Sequence, residues 1–338
     1  MNNTAKPLCV VTGGAGFIGS HLVDRLVAEG NRVRVLDNMY TGRVSNLDKA
    51  IETGNVEVCE VDIANYNDIA PLFEGGRWVF HLAAMADIVP SIREPMLYHR
   101  ANVEGTINVL EASRNVGVEK FIYTASSSCY GIPDKYPTPE SSEIDPMYPY
   151  ALTKYVGEEY AMHWAKTYDM PIISLRLFNV FGPRHRTTGA YGAVFGVFLA
   201  QKLAGKPYTI VGDGEQTRDF TFVTDIVDAF ITAANSDAKG KIFNVGSGNT
   251  YSVNHLVNLL GGEKTYIPKR PGEPDSTFAD ISFIRDELNW EPSVSFEDGV
   301  KVMLTEIDGW ADAPVWTPDA IAEATEDWFK YLSNDKLK

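Results

Sequence analysis

LCVVTGGAGFIG, residues 8–19, carries the pattern that decides the fold. An apolar, β-branched run (Leu8–Thr12) ends in a glycine-rich turn, and a helical pattern (residues 18–28) begins as the turn closes. Gly13, Gly16 and Gly19 stand in a G-x-x-G-x-x-G spacing, with Phe17 and Ile18 opening the helix. A strand that passes through a tight glycine turn into a helix brings unpaired N–H groups and a positive dipole end to one point. That point suits a pyrophosphate. The second strand, RVRVL (residues 32–36), is followed by Asp37 and Asn38, and Asp37 comes 18 residues after Gly19. A carboxylate at that place can accept hydrogen bonds from an adenosine ribose. It favours NAD over NADP because it repels a 2′-phosphate, while the nearby Arg43 leaves the second open.

Working outward, residues 56–61, 78–82 and 121–124 read as further strands, separated by helical stretches near 66–73 and 103–116. Strand–helix alternation at this spacing predicts an α/β fold: a Rossmann-type, doubly wound parallel sheet with helices on both faces. After about residue 180 the alternation loosens and Gly and Pro rise (FGPRHRTTG, VGDGEQ, KRPGEPD). The expected division is a cofactor-binding domain over 1–180 and, over 181–338, a smaller C-terminal lobe for substrate with some segments returning to the sheet. Near the end, Ile321, Ala324, Trp328, Tyr331 and Leu332 fall on one stripe of a single predicted docking helix over 318–332.

Composition narrows the function classes. The 338 residues carry 30 Lys+Arg against 45 Asp+Glu, a formal net charge of −15. An acidic chain without a basic run argues against a nucleic-acid partner or an anionic membrane surface. The N-terminal apolar stretch is too short for a membrane span or signal peptide. Cys9, Cys59 and Cys129 form no paired spacing, so neither a disulfide framework nor a zinc site is expected. The six histidines show no ligand spacing either, and no metal is expected. The reading is of a soluble, cytoplasmic protein.

Chemistry is concentrated between residues 125 and 160. Tyr150 and Lys154 lie four apart in a helical stretch, which puts phenol and ammonium on one face. A phenol loses its proton near pKa ~10, and a neighbouring cation favours the phenolate. Ser126, Ser127 and Ser128 stand at the carboxyl end of the strand FIYTA, where a hydroxyl can share a substrate oxygen with Tyr150.

With these motifs the chain resembles the extended short-chain dehydrogenases/reductases, and within them the nucleotide-sugar 4-epimerases. The resemblance runs from about residue 7 to 300. It rests on TGGAGFIGSHLVDRL, HLAA (81–84), ASSSCYG (125–131), YPYALTKYVGEEY (148–160), LRLFNVFGPR (175–184), GDGEQTRDFTFVTD (212–225) and NVGSG (244–248). It implies Ser126 as the catalytic hydroxyl, Tyr150 as general base and acid, and Lys154 as a holder of the nicotinamide ribose. It also implies NAD contacts from Asp62, Ile63, Leu82, Ala83, Ala84 and Asn102. Asn179 and Arg218 match positions on the diphosphate of a UDP-sugar. Arg270 and Glu273 match late positions around the nucleotide, Glu273 standing where an aspartate is often seen.

The same resemblance separates reactions. The 4,6-dehydratases carry Asp-Glu where this chain has Ser127 and Ser128, and related decarboxylases carry Glu in place of Ser128. Oxidation at C4 with hydride return to the opposite face, an epimerisation, is what remains. The loop TGAYGAV (188–194), with Tyr191 and Val194, resembles a form found in bacterial UDP-N-acetylglucosamine 4-epimerases. Thr277 occupies the gate position beside the hexose, and Ser127 and Ser128 are candidates to bond a 2-acetamido or hydroxyl group. UDP-GlcNAc/UDP-GalNAc is the favoured pair, with UDP-Glc/UDP-Gal tolerated and UDP-glucuronate the nearest rival. The resemblance also implies a homodimer pairing helices near 94–116 and 150–168. Two other classes stay open: a net redox enzyme, which would consume added NAD(P), and a non-catalytic NAD-binding regulator, which would be expected to lack Tyr150 or Lys154.

Overall fold

The computed structural model describes residues 7–185 and 193–333. Seven parallel strands form the central sheet, in spatial order Lys241–Val245, Ile172–Leu177, Lys120–Ser126, Gly76–His81, Leu8–Thr12, Arg32–Asp37, Val56–Glu60. The order reverses beside Leu8–Thr12, so the glycine turn opens at the switch point where such sheets bind ligands. Leu8–Thr12 and Ile172–Leu177 are buried along their whole length because helices cover both faces, which is why the first reads as a near-continuous apolar run. The helices Phe17–Ala28 and Val223–Asn235 pack one face through Leu22, Val23, Ile226 and Phe230. Gly105–Val116 and Pro149–Tyr168 cover the other through Val109, Leu110 and Ala161.

Past residue 178 the chain builds a second core on the carboxyl side of the sheet. Three two-stranded pairs frame it, among them Asn179–Phe181 parallel to Phe220–Phe222. Its centre is a stack of rings: Phe181 on Phe195 at 4.6 Å and Phe220 on Phe296 at 5.1 Å. Burial of such rings and their offset contacts fixes the backbone that presents Asn179 and Arg218.

Two expectations are corrected. The C-terminal docking helix is two helices, Pro318–Ala324 and Glu326–Tyr331, broken at Thr325. The Thr325 hydroxyl turns back to the Ile321 carbonyl at 2.7 Å, and Tyr331 is 46% exposed while Ile321, Trp328 and Leu332 are buried. A Ser/Thr back-bond competes with the helical ladder, and here the Ile321 carbonyl is shared between the Thr325 hydroxyl and the Thr325 N–H where the first helix ends. The helix expected from 103 begins at Gly105, after a wider turn over Arg100–Glu104 that swings Asn102 inward.

Candidate active site

The glycine turn, the Ser126 strand end and the start of the Tyr150 helix open onto one cleft of about 750 Å³. A Cβ on Gly13, which sits at φ +70°, would lie 2.7 Å from the Ala83 nitrogen, and one on Gly19 only 2.2 Å from the Gly13 carbonyl oxygen. Glycine is therefore dictated by how closely turn, helix and the 82–84 segment approach. Gly16 caps the helix Phe17–Ala28 without a side chain, and the first helical turn carries no acidic residue. Its N–H groups face the cleft as donors for an anion. A dinucleotide's pyrophosphate fits that cradle by charge and by shape.

Asp37 lines the same cleft, buried, its carboxylate accepting the Ala15 N–H at 3.0 Å and the Met39 N–H at 2.9 Å. Burial raises its pKa while the two N–H groups lower it. Asp37 thus ties the turn to the second strand as well as offering an oxygen edge. Asn38, Asp62, Ile63, Leu82, Ala83 and Ala84 line the cleft beside it, as do Phe17 and Ile18. The 82–84 segment is held by Thr12, whose carbonyl accepts the Leu82 N–H and whose hydroxyl accepts the Ala83 N–H. That hydroxyl meets His81 Nδ1 at 2.7 Å, and His81 Nε2 meets Thr106 at 2.9 Å. Because the Thr106 hydroxyl donates to the Asn102 carbonyl, the His81 proton belongs on Nε2. Burial drops its pKa to about 3, so this chain of bonds stays neutral at working pH.

Ser126 accepts the Ser128 N–H at 3.2 Å and lies 2.8 Å from the Ser128 hydroxyl, capping the turn Ser127–Tyr130. Tyr150 opens the helix Pro149–Tyr168 and stacks parallel to Tyr148, 6.3 Å between centroids at 11°. Burial raises the Tyr150 pKa, and the Ser126 hydroxyl lowers it. Lys154 follows one turn on. Its ammonium sits 4.5 Å above the Tyr123 ring, and its carbonyl accepts the Tyr123 hydroxyl at 2.9 Å. Gly157 makes that approach possible, since a Cβ there would lie 2.3 Å from the Tyr123 hydroxyl. Burial pushes Lys154 down to about 7, with the Glu158 carboxylate pulling it back up. Desolvation moves phenol and ammonium toward their neutral forms, placing the amine where its charge changes near neutral pH.

At the far wall Arg218 donates to Glu273 at 2.8 Å and to the Thr217 carbonyl at 2.8 Å. Arg270 reaches the other Glu273 oxygen at 3.8 Å. Two guanidiniums balanced by one carboxylate leave surplus positive charge, fit for a diphosphate. Thr277 donates to Asn179 at 2.7 Å and accepts the Asp219 N–H at 3.0 Å, so its side chain is folded against the wall. Ser127, Ser128, Asn179, Val194, Arg218, Arg270, Glu273 and Thr277 all line the cleft.

Two expected contact residues do not line it. Lys154 lies beneath Tyr150, only 4% exposed. Asn102 is fully buried: its side chain bonds the Met85 N–H and carbonyl and the Thr153 hydroxyl. It locks the 85 segment to the Tyr150 helix instead of facing a ligand. Tyr191 lies outside the described residues. Sequence reasoning assigned no role to Tyr148, although the quoted run YPYALTK contains it, nor to Met85, Asp87 and Trp328, all of which line the cleft. Among the described residues no helix is long and apolar enough to cross a membrane, and no cluster of His, Cys, Asp and Glu is arranged to hold a metal ion.

Comparison with known proteins agrees with this geometry. The pattern described as the NAD dependent epimerase/dehydratase family matches residues 9–246. A UDP-glucose 4-epimerase from Mycolicibacterium smegmatis is 38% identical over 299 residues, 86% of this chain and 95% of that protein. The structure of a Thermotoga maritima UDP-glucose 4-epimerase with UDP-glucose superimposes with a TM-score of 0.84 at 36% identity, covering 89% of this chain and 98% of that one. A UDP-N-acetylglucosamine 4-epimerase from Methanobrevibacter ruminantium, in complex with UDP-N-acetylmuramic acid, gives 0.83 at 34% identity, covering 89% and 99%. With its glycine cradle, strand-end serine and Tyr-x-x-x-Lys helix set around one cleft, this chain belongs to the NAD dependent epimerase/dehydratase family.

Proposed function

We propose that the protein inverts C4 of a UDP-sugar, with UDP-GlcNAc and UDP-GalNAc as the preferred pair and NAD as the resident cofactor. The observation that carries this reading is the convergence of Ser126, Tyr150 and the glycine cradle at one end of a cleft whose other end holds the Arg218–Glu273–Arg270 group. Bound in the cradle by Gly13, Gly16, Gly19 and Asp37, NAD supplies a place for the C4 hydride and its return. Tyr150 takes the proton of the 4-hydroxyl, holds it at its phenol oxygen and later gives it back. Ser126 donates to the same sugar oxygen as its charge shifts, leaving Ser128 and the backbone to hold Ser126 in place. Arg218 and Asn179 keep the diphosphate still while the 4-keto sugar turns about its anomeric link and presents its other face. Ser127 and Ser128 lack the acid–base capacity that elimination of water needs, which weighs against a dehydratase.

For the sugar, Thr277 is a gate of intermediate size whose hydroxyl is turned onto Asn179, an arrangement that supports acceptance of a 2-acetamido group. The test is NMR of the purified protein with UDP-GlcNAc, UDP-Glc and UDP-glucuronate in separate tubes and no added reductant. Formation of UDP-GalNAc in the first tube is the expected result. Turnover of UDP-glucuronate alone would move the assignment to that sugar, and stoichiometric consumption of added NAD would point to a net redox enzyme. The same reading makes the protein a cytoplasmic homodimer paired through its exposed helices, where Met96, Leu152 and Tyr168 lie open. A monomer mass in light scattering would refute the pairing.

The Lys154 amine gives this mechanism its pH dependence. Lys154→Met is expected to lower kcat by about 10²-fold at pH 7 and to move the acid limb of the profile up by about a unit or more, because the phenolate loses a nearby cation. The sign for stability is separate. A buried amine with a value of about 7 against 10.5 costs nothing above pH 10.5, costs more as pH falls, and reaches its full penalty below about 7. The Met variant should therefore show a flatter dependence of Tm on pH between those values.

A further inference from the structure

Of the two short helices near the C-terminus, the second brings Trp328 to the cleft, and Trp328 lies beyond the 9–246 span of the family pattern. It is 6% exposed, and what remains open faces the cleft. The indole N–H donates to the Pro271 carbonyl at 2.7 Å. The Arg270 guanidinium lies over the ring, 5.3 Å from its centroid, within cation–π range. On its other side the indole packs with Val89 and Leu332, against Ile88, Ile92 and Tyr148. Tyr148 is the ring stacked on Tyr150. Arg93 pairs with Asp327 at 2.5 Å, fastening the same helix to the cleft wall.

Trp328 thus touches both walls: the arginine–glutamate group on one side and the ring beside the phenol on the other. An arginine that meets a ligand from a free rotamer loses conformational entropy on binding, whereas one already held between a ring and a carboxylate loses little. Arg270 is held in that way, by Trp328 below and Glu273 alongside.

We propose that Trp328 is a positioning residue for ligand binding: it presets Arg270 and the 271–273 turn for the diphosphate of the nucleotide sugar. The inference rests on the nucleotide-sugar reading given above. A structural plug alone would lower Tm and cofactor content and leave the affinity of the folded fraction intact. A positioning role moves KM and nucleotide affinity with kcat nearly constant, and does so through Arg270.

The test uses the NAD-loaded full chain and UDP as the probe, with binding by calorimetry and turnover on the sugar that reacts. Trp328→Leu is expected to weaken UDP by about 10-fold and to raise KM by a similar factor, with kcat within about 3-fold and NAD content unchanged. Trp328→Phe restores a ring under Arg270 without the bond to Pro271, and should weaken UDP by only about 3-fold. Adding Trp328→Leu to Arg270→Met should cost little more, because Trp328 acts on the ligand through Arg270. UDP affinity equal to wild type in Trp328→Leu, or full additivity with Arg270→Met, overturns the proposal. If the Leu variant does not fold, wild-type UDP affinity in Trp328→Phe overturns it instead. A wild-type protein that binds no UDP overturns the nucleotide-sugar reading and this one with it, whereas UDP binding indifferent to Trp328 removes this one alone.

Discussion

Tyr150→Phe is expected to lower kcat by about 10³-fold or more while UDP-sugar binding and NAD content stay within about 3-fold of wild type. The phenyl ring keeps its parallel contact with Tyr148, so the shape of the cleft survives and only the hydroxyl is lost. In the proposed reaction that hydroxyl both takes the 4-hydroxyl proton and returns it, so both halves lose their proton carrier. In the same proposal the affinity for the nucleotide is set elsewhere, at the wall where Arg218 and Arg270 meet Glu273. Tyr148 cannot substitute, because its hydroxyl lies against Ser128, whereas that of Tyr150 lies against Ser126. Steady-state kinetics beside calorimetry on the same preparation separate the two effects. Turnover near wild type would take the proton role away from Tyr150.

Glu158→Ala is expected to destabilise the protein by about 3–5 kcal/mol, lowering Tm by roughly 4–7 °C. Glu158 is on the Tyr150 helix and is 1% exposed, accepting from Arg176 at 2.5 Å and from the Ser174 hydroxyl at 2.7 Å. Burial works against the Arg176 charge, but Glu158 outweighs it and raises the guanidinium's pKa. Arg176 also donates to the Tyr130 hydroxyl at 2.8 Å, and Tyr130 passes the bond on to Asn244 at 2.7 Å. Removing the carboxylate strands a buried cation inside this set, which costs more than the pair contributes. Thermal unfolding of Glu158→Ala, Arg176→Met and the double variant gives the cycle. The double variant should be more stable than Glu158→Ala, since no lone charge remains. A Tm unchanged in Glu158→Ala would mean that water already reaches the pair.

The cofactor half was legible because its signals are local. Strands buried on both faces must be continuously apolar, and those read at 8–12, 32–36, 56–61, 78–82 and 121–124 lie within a few residues of their places in the sheet. Gly13 and Gly19 were readable for the same reason: a Cβ on either would lie under 3 Å from backbone atoms, which admits no other residue. What escaped depends on contacts distant in sequence. The wide turn that buries Asn102 has no periodic mark, and only the family resemblance made Asn102 a cofactor contact. Ser128 read as free for a sugar substituent, yet its hydroxyl is 2.8 Å from Ser126. Trp328 gave only an apolar position in a terminal helix; its tie to Pro271 spans 57 residues, and no local pattern encodes such a partner.

Strand Lys241–Val245, last in the chain to join the main sheet, carries a consequence for synthesis. Until it emerges, Ile172–Leu177 is the open edge of a nascent six-stranded sheet, apolar apart from Ser174 and Arg176 and with its outward backbone hydrogen-bonding groups unmet. Such an edge recruits strands from other chains. Arg176 projects from it still lacking Asn244, which enters with the late strand and completes the polar set around Tyr130. A nascent chain stalled between residues 180 and 240 therefore exposes an aggregation-prone edge, and the ribosome's speed across that stretch sets how long it is open.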